Sequence, residues 1–287
     1  MASAAALDQW SSTVVWEEVV QRPRSDAEAL KQRLGYALGQ WSMTRQVRAA
    51  MAAHNRGPEA FADFVKRGRA WHDRYGRAIS RMVDGDAVRS APPPTAVPAP
   101  TPFDWFVPRR KEPRGILFYV HGGSFVAERG PRITQLVTRF AATANASLFA
   151  PSYRLAPEHP SPAAVEDIVA ALRWLCREWP DEPVVALAES AGCAILLAAL
   201  QVVRDEGGNL PKGIVLLSPW VDVSLQSWSV MAASIARTSP HTMESLGMFA
   251  QFYLQRRAPT DPIASPIFGS FEISPHPHPC QLKRYSL

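Results

Sequence analysis

Between residues 103 and 217, five short apolar runs alternate with three longer stretches of helical periodicity. The runs are 103–107 (FDWFV), 115–120 (GILFYV), 147–151 (SLFAP), 183–187 (PVVAL) and 213–217 (GIVLL); the helical stretches are 132–144, 162–179 and 191–204. ILFYV and IVLL carry no polar residue at alternate positions, so a strand made from them has to be covered on both faces. Alternation of such strands with helices predicts an α/β fold, a mostly parallel sheet with helices on both sides. No internal repeat is present.

The chain upstream reads differently. Ser25-Asp26-Ala27-Glu28 has the form of a capping box, and Leu30, Leu34, Leu38 and Trp41 follow at helical spacing. A second helical stretch ends near His54, where Asn55-Arg56-Gly57-Pro58 stops it. A third begins at Pro58 and carries Phe61, Phe64, Val65, Trp71, Tyr75, Ile79 and Met82 on one face. The opposite face holds Lys66, Arg67, Arg69, Arg74 and Arg81, which reads as a solvated polar surface. Residues 91–102 (APPPTAVPAPTP) form an extended, semi-rigid linker. The expected organisation is a helical segment over 1–90, the linker over 91–102 and the α/β unit over 103–287, with a helical insertion at about 225–258.

Composition narrows the function classes. The 287 residues are 47% hydrophobic and 20% charged, enough to bury a sizeable core and too apolar for a disordered chain. The 31 Lys+Arg against 26 Asp+Glu leave a scattered excess of +5, with no zinc-finger spacing and no phosphate-binding loop, so no nucleic-acid partner is expected. Three unpatterned cysteines (Cys176, Cys193, Cys280) suit a reducing compartment. The first twenty residues do not have the pattern of a secretory signal, and the longest apolar run, 191–200, is about half of a bilayer span. The sequence therefore predicts a cytoplasmic protein without a transmembrane segment.

Two strand ends carry the candidate chemistry. The run ending at Val120 leads straight into His121-Gly122-Gly123-Ser124-Phe125, where glycines free backbone N–H groups to face a cleft. The run ending at Leu187 leads into Ala188-Glu189-Ser190-Ala191-Gly192 and then into the apolar helix. A serine on a sharp strand-to-helix turn needs small residues two positions to either side; Ala188 and Gly192 supply them, a variant of G-x-S-x-G. The helix N-terminus behind Ser190 favours a developing negative charge.

These residues resemble the hormone-sensitive-lipase-type branch of the α/β-hydrolases, which are serine carboxylesterases and lipases. HGGSF resembles that family's HGGG loop, and AESAG its GDSAG or GESAG elbow. Residues 153–167 (YRLAPEHPSPAAVED), 218–222 (SPWVD) and 261–266 (DPIASP) match three further family segments in order. The resemblance implies an α/β-hydrolase fold and hydrolysis of small or medium acyl esters through an acyl-serine at Ser190. It makes the N–H groups of Gly122, Gly123 and Ala191 the oxyanion hole, assigns loop-holding roles to His121 and the YRLAPEHP residues, and gives His159 a structural hydrogen bond. No metal or other cofactor is implied. The chain departs from the family pattern at Ala188, Ser124 and Cys193.

The family draws its acid and histidine from beyond DPxxSP, where this chain has 21 residues, with Pro275, Pro277 and Pro279 at alternate positions. That is short for two further strands and their crossover. The expectation is a C-terminally incomplete core whose last strands are missing, leaving GIVLL as a bare apolar edge able to pair with another chain. Substitutes in the right chain order are His276 or His278 with Asp261 or Glu272, and His241 with Asp222. A ligand-binding or catalytically incomplete relative of the same family is the alternative reading.

Overall fold

The computed structural model describes residues 45, 48–57, 59–68, 88–93, 95–109, 111–226 and 243–271. The helices expected over 25–41 and beyond residue 68, and the tail from 272, lie outside the described residues. Among the described residues six strands form one sheet: β1 (Val88–Ser90), β2 (Phe103–Pro108), β3 (Ile116–Val120), β4 (Ser147–Pro151), β5 (Val184–Glu189) and β6 (Gly213–Leu217), in the order β1-β2-β4-β3-β5-β6. β1 and β2 are antiparallel to each other and β2 to β4; β4, β3, β5 and β6 run parallel. Helices α1 (Pro131–Ala144), α2 (Ala163–Glu178) and α3 (Gly192–Asp205) connect the parallel strands, and α4 (Met243–Leu254) follows β6. All five expected strands are present.

Handedness fixes the layers. From β3 the chain crosses through α1 to β4 on one side, whereas from β4 it crosses back through α2 to β5 on the other. Right-handed crossovers in opposite directions place their helices on opposite faces. Side-chain parity agrees: Ile116, Phe118 and Val120 of β3 join the core that also holds α2 and α3, while Leu117 and Tyr119 join Val137 and Ala141 of α1. β3 is buried at all five positions. Helix α1 opens with Pro131 after Gly130 and closes at Asn145, whose left-handed φ of 51° is the usual way to end a helix. α3 is apolar nearly all round because the sheet, α2 and the 3-10 turn Pro266–Phe268 enclose it.

Two boundaries differ from expectation. Val88–Ser90, placed by sequence at the end of a helical segment, is an edge strand paired with β2 (Ser90↔Phe106). The proline-rich stretch therefore joins two strands of one sheet rather than two bodies. It lies along the core: Thr95 donates to Glu178 at 2.8 Å, and the Ser152 N–H donates to the Pro102 carbonyl at 2.7 Å. Among the described residues no helix is long and apolar enough to cross a membrane.

Candidate active site

β3 and β5 are neighbours, in register at Val120↔Ala188, and the chain leaves their C-terminal ends in opposite directions. Such a switch point opens a crevice where parallel α/β sheets bind ligands. Both predicted motifs are there. Ser190 follows the end of β5 at φ 49°, a left-handed conformation costly for a residue with a Cβ, and points its turn at the loop after β3. Its N–H donates to the Leu217 carbonyl at 2.9 Å, and its carbonyl accepts from the Cys193 and Trp220 N–H groups at 3.1 Å. Gly192 permits this turn: a Cβ there would lie 2.3 Å from the His121 carbonyl oxygen and 2.6 Å from that of Val120.

The loop after β3 has three consecutive residues at positive φ, Gly123 (117°), Ser124 (53°) and Phe125 (66°). Gly123 accepts from the Val126 and Ala127 N–H groups, closing a tight turn. A Cβ built on Gly122 would touch Ser190 Cβ at 3.0 Å and Glu189 Oε1 at 3.1 Å, so the loop lies against the serine. The N–H groups of Gly123, Ser124 and Ala191 make no hydrogen bond among the described residues. Gly122 differs from the expectation: its N–H donates to the Glu189 carboxylate at 3.2 Å. The carboxylate competes for that donor, leaving Gly123, Ala191 and Ser124 as the open ones. Ser124, noted in the sequence only as a departure in the place of the third glycine of HGGG, is a further open N–H.

Buried polar groups hold the loop from behind. His121 is buried, its Nδ1 lies 2.6 Å from the Gly122 carbonyl, and its ring stacks on Tyr153 at 4.3 Å. The Tyr153 hydroxyl donates to the His121 carbonyl at 2.7 Å. Burial, reinforced by Arg129, pushes the His121 pKa down to about 3, so the imidazole is neutral and Nδ1 donates to the carbonyl. Nε2 is buried, with no hydrogen-bond partner among the described residues. Burial also raises the Glu189 carboxyl above the usual carboxylate range, opposed by the Gly122 N–H and by Tyr119. Cys193, under the turn, is a buried thiol pushed up to about 12 chiefly by burial, which makes it inert.

The remaining expected residues have other occupations. Arg154 of the YRLAPEHP segment binds Asp167 (Nε at 3.0 Å) and Glu166 (2.9 Å), pinning the segment to the first turn of α2. His159 is exposed; its backbone N–H bonds the Leu155 carbonyl, and its imidazole makes no hydrogen bond among the described residues. The Asp222 carboxylate accepts from the Ser224 N–H and hydroxyl; that of Asp261 pairs with Arg257 and accepts from the Ile263 N–H. Both stabilise local turns. His241, Glu272, His276 and His278 lie outside the described residues.

A family model described as alpha/beta hydrolase fold matches residues 117–279. The chain belongs to that α/β-hydrolase family, and its relatives place it in the hormone-sensitive-lipase-type branch. It is 34% identical over 207 residues to an acetyl-hydrolase of Streptomyces hygroscopicus, covering 69% of each chain. It is 27% identical to an esterase of Acinetobacter venetianus, covering 56% of this chain and 53% of that one. Among solved structures it resembles an esterase from the bacterial hormone-sensitive lipase family (25% identity, TM-score 0.59, 80% of this chain and 73% of that). It also resembles the esterase EstE5 in a crystal soaked with p-nitrophenyl butyrate (28%, TM-score 0.58, 68% and 66%). The chain spans between about half and about two-thirds of the length of these curated relatives.

Proposed function

We propose that the protein is a carboxylic-ester hydrolase acting on small or medium acyl esters through an acyl-serine at Ser190. The observation that carries this reading is Ser190 held at φ 49° between a buried strand and an apolar helix, against a loop with open backbone donors. Ser190 Oγ attacks the ester carbonyl as its proton passes to a base, and the oxyanion is received by the N–H groups of Gly123, Ala191 and Ser124. The C–O bond to the alcohol breaks, the alcohol leaves with a proton, and water releases the acid. Gly122 supports the hole through its bond to Glu189 rather than as a direct donor. The base is proposed to be one of the histidines C-terminal to Ser190, His276 or His278 ahead of His241, in the chain order this fold uses.

The printed functions of the relatives support the same class: acetyl-hydrolase in one, esterase in another. Free thiols at Cys176 and Cys193 favour a reducing, cytoplasmic setting. The edge of β6 favours self-association, since Ile214 and Val215 are 48% and 42% exposed on a strand that among the described residues pairs with β5 alone.

The test is hydrolysis of p-nitrophenyl butyrate together with covalent labelling by a fluorophosphonate, on wild type and Ser190→Ala. Turnover and labelling that both vanish in Ser190→Ala are expected. Folded wild type with neither, while still binding the ester saturably, would overturn the enzyme in favour of a ligand-binding relative.

A further inference from the structure

Helix α4 carries two adjacent aromatic residues whose rings leave it towards different partners. Phe252 stacks on Phe61 of helical residues 59–68, with centroids 4.0 Å apart and planes 6° from parallel. His54 meets the same ring edge-on at 5.4 Å. Tyr253 stacks on Phe125 at 3.9 Å and 10°. Consecutive helical side chains point about 100° apart, so one short helix faces both the N-terminal helices and the loop beside Ser190.

Phe125 closes that loop. It holds φ 66°, its carbonyl accepts from the Ala156 N–H at 3.0 Å, and its ring meets Trp220 at 5.1 Å. Non-glycine residues at positive φ persist only where surrounding packing over-determines them. Ser124 and Phe125 are two in a row, and the faces of Phe125 are packed by Tyr253 and Trp220. α4 is anchored on its core side through the Ser161 N–H to the Tyr253 carbonyl (2.8 Å), and Gln255, just after the helix, donates from Nε2 to the Pro157 carbonyl (3.2 Å). On its other side α4 carries the Phe61–Phe252–His54 cluster.

We infer that α4 relays the placement of the N-terminal helices to the oxyanion loop, with Phe252 and Tyr253 as positioning residues for acyl transfer at Ser190. The helices over residues 48–68 thereby set how the open N–H groups of Gly123 and Ser124 are aimed, in addition to covering the core. The catalytic half of this inference rests on the ester-hydrolase reading above; the mechanical half does not.

The experiment uses the full chain and the Phe252→Ala variant, which removes the stack on Phe61 and leaves Phe125 and Tyr253 intact. Hydrogen exchange is followed at Val126, Ala127 and Ala156, whose N–H groups bond within or onto the loop, with Ala186 of β5 as reference. Exchange at the three loop amides is expected to accelerate about tenfold or more while Ala186 is unchanged. For p-nitrophenyl butyrate, kcat is expected to fall about tenfold with KM within about twofold, and Phe252→Tyr to restore both readouts. Unchanged loop amides in folded Phe252→Ala, or equal acceleration at Ala186, would overturn the relay. If wild type shows no turnover, the ester-hydrolase reading fails and exchange alone decides the relay. Should Phe252→Ala not fold, Phe61→Leu, which keeps bulk and loses the ring stack, is held to the same criterion.

Discussion

The centre of the sheet and its β6 margin are made from the same kind of sequence and live in different surroundings. ILFYV in β3 is buried at every position, between α1 on one face and α2 and α3 on the other. GIVLL in β6 is no more polar, yet its residues are intermediate or exposed. Fully burying such a side chain contributes about 1.5–3 kcal/mol, and Ile214 and Val215, with nearly half their surface in water, realise only part of that. The other margin is built differently: β1 is three residues long and exposes Arg89 and Ser90, a form that discourages further pairing. What distinguishes centre from margin is thus the neighbours that topology provides. At the centre those neighbours also determine backbone conformation, and there the candidate site lies.

The largest effect is expected where the two central loops cross. Gly192→Ala puts a methyl group 2.3 Å from a backbone carbonyl, and chemical denaturation should show a loss of about 3 kcal/mol or more. A fully stable Gly192→Ala protein would break the picture of a rigid centre. Next comes His121, whose pKa is lowered to about 3 by burial first and Arg129 second. Its unfolded form binds a proton below about pH 6.5 and its folded form does not, so stability falls as pH drops through that window, by on the order of 3 kcal/mol. Urea midpoints between pH 7 and pH 4 should show this slope, flattened in His121→Asn.

Glu189 should act with the opposite sign and more weakly. Its raised folded pKa means that ionisation weakens the fold as pH rises, so the gain in Tm from Glu189→Gln should grow from pH 4 to pH 8. A gain that shrinks over that range would mean the bond to Gly122 outweighs burial. The smallest change in monomer stability belongs to the margin: Ile214→Lys with Val215→Lys should lie within about 0.5 kcal/mol of wild type. The same pair should shift sedimentation towards monomer, and wild type that is already monomeric would remove the case for edge pairing.

The strands and the two loops were legible in the sequence because their signals are local: apolar runs of strand length, glycines at strand ends, and a serine between small residues. β3, β4, β5 and β6 lie within two residues of their expected bounds. β1 was not legible, since Val-Arg-Ser has no apolar run or alternation and becomes a strand only because β2 offers it an edge. The commitment of the Gly122 N–H to Glu189 was hidden for a related reason: it depends on the register Val120↔Ala188, which sets two distant loops side by side. The stacks of Phe252 and Tyr253 escaped too, because α4 lies in a stretch read only as an insertion.

The way the chain passes from β1 to β2 bears on how it would respond to a protease. Residues 91–102 begin at a strand hydrogen-bonded to β2 and end in β2 itself, with the Ala91 N–H bonded to the Trp105 carbonyl at 3.0 Å. A single cut among these prolines and alanines severs the covalent thread but not the ladder, so both fragments are expected to migrate together until a denaturant parts them.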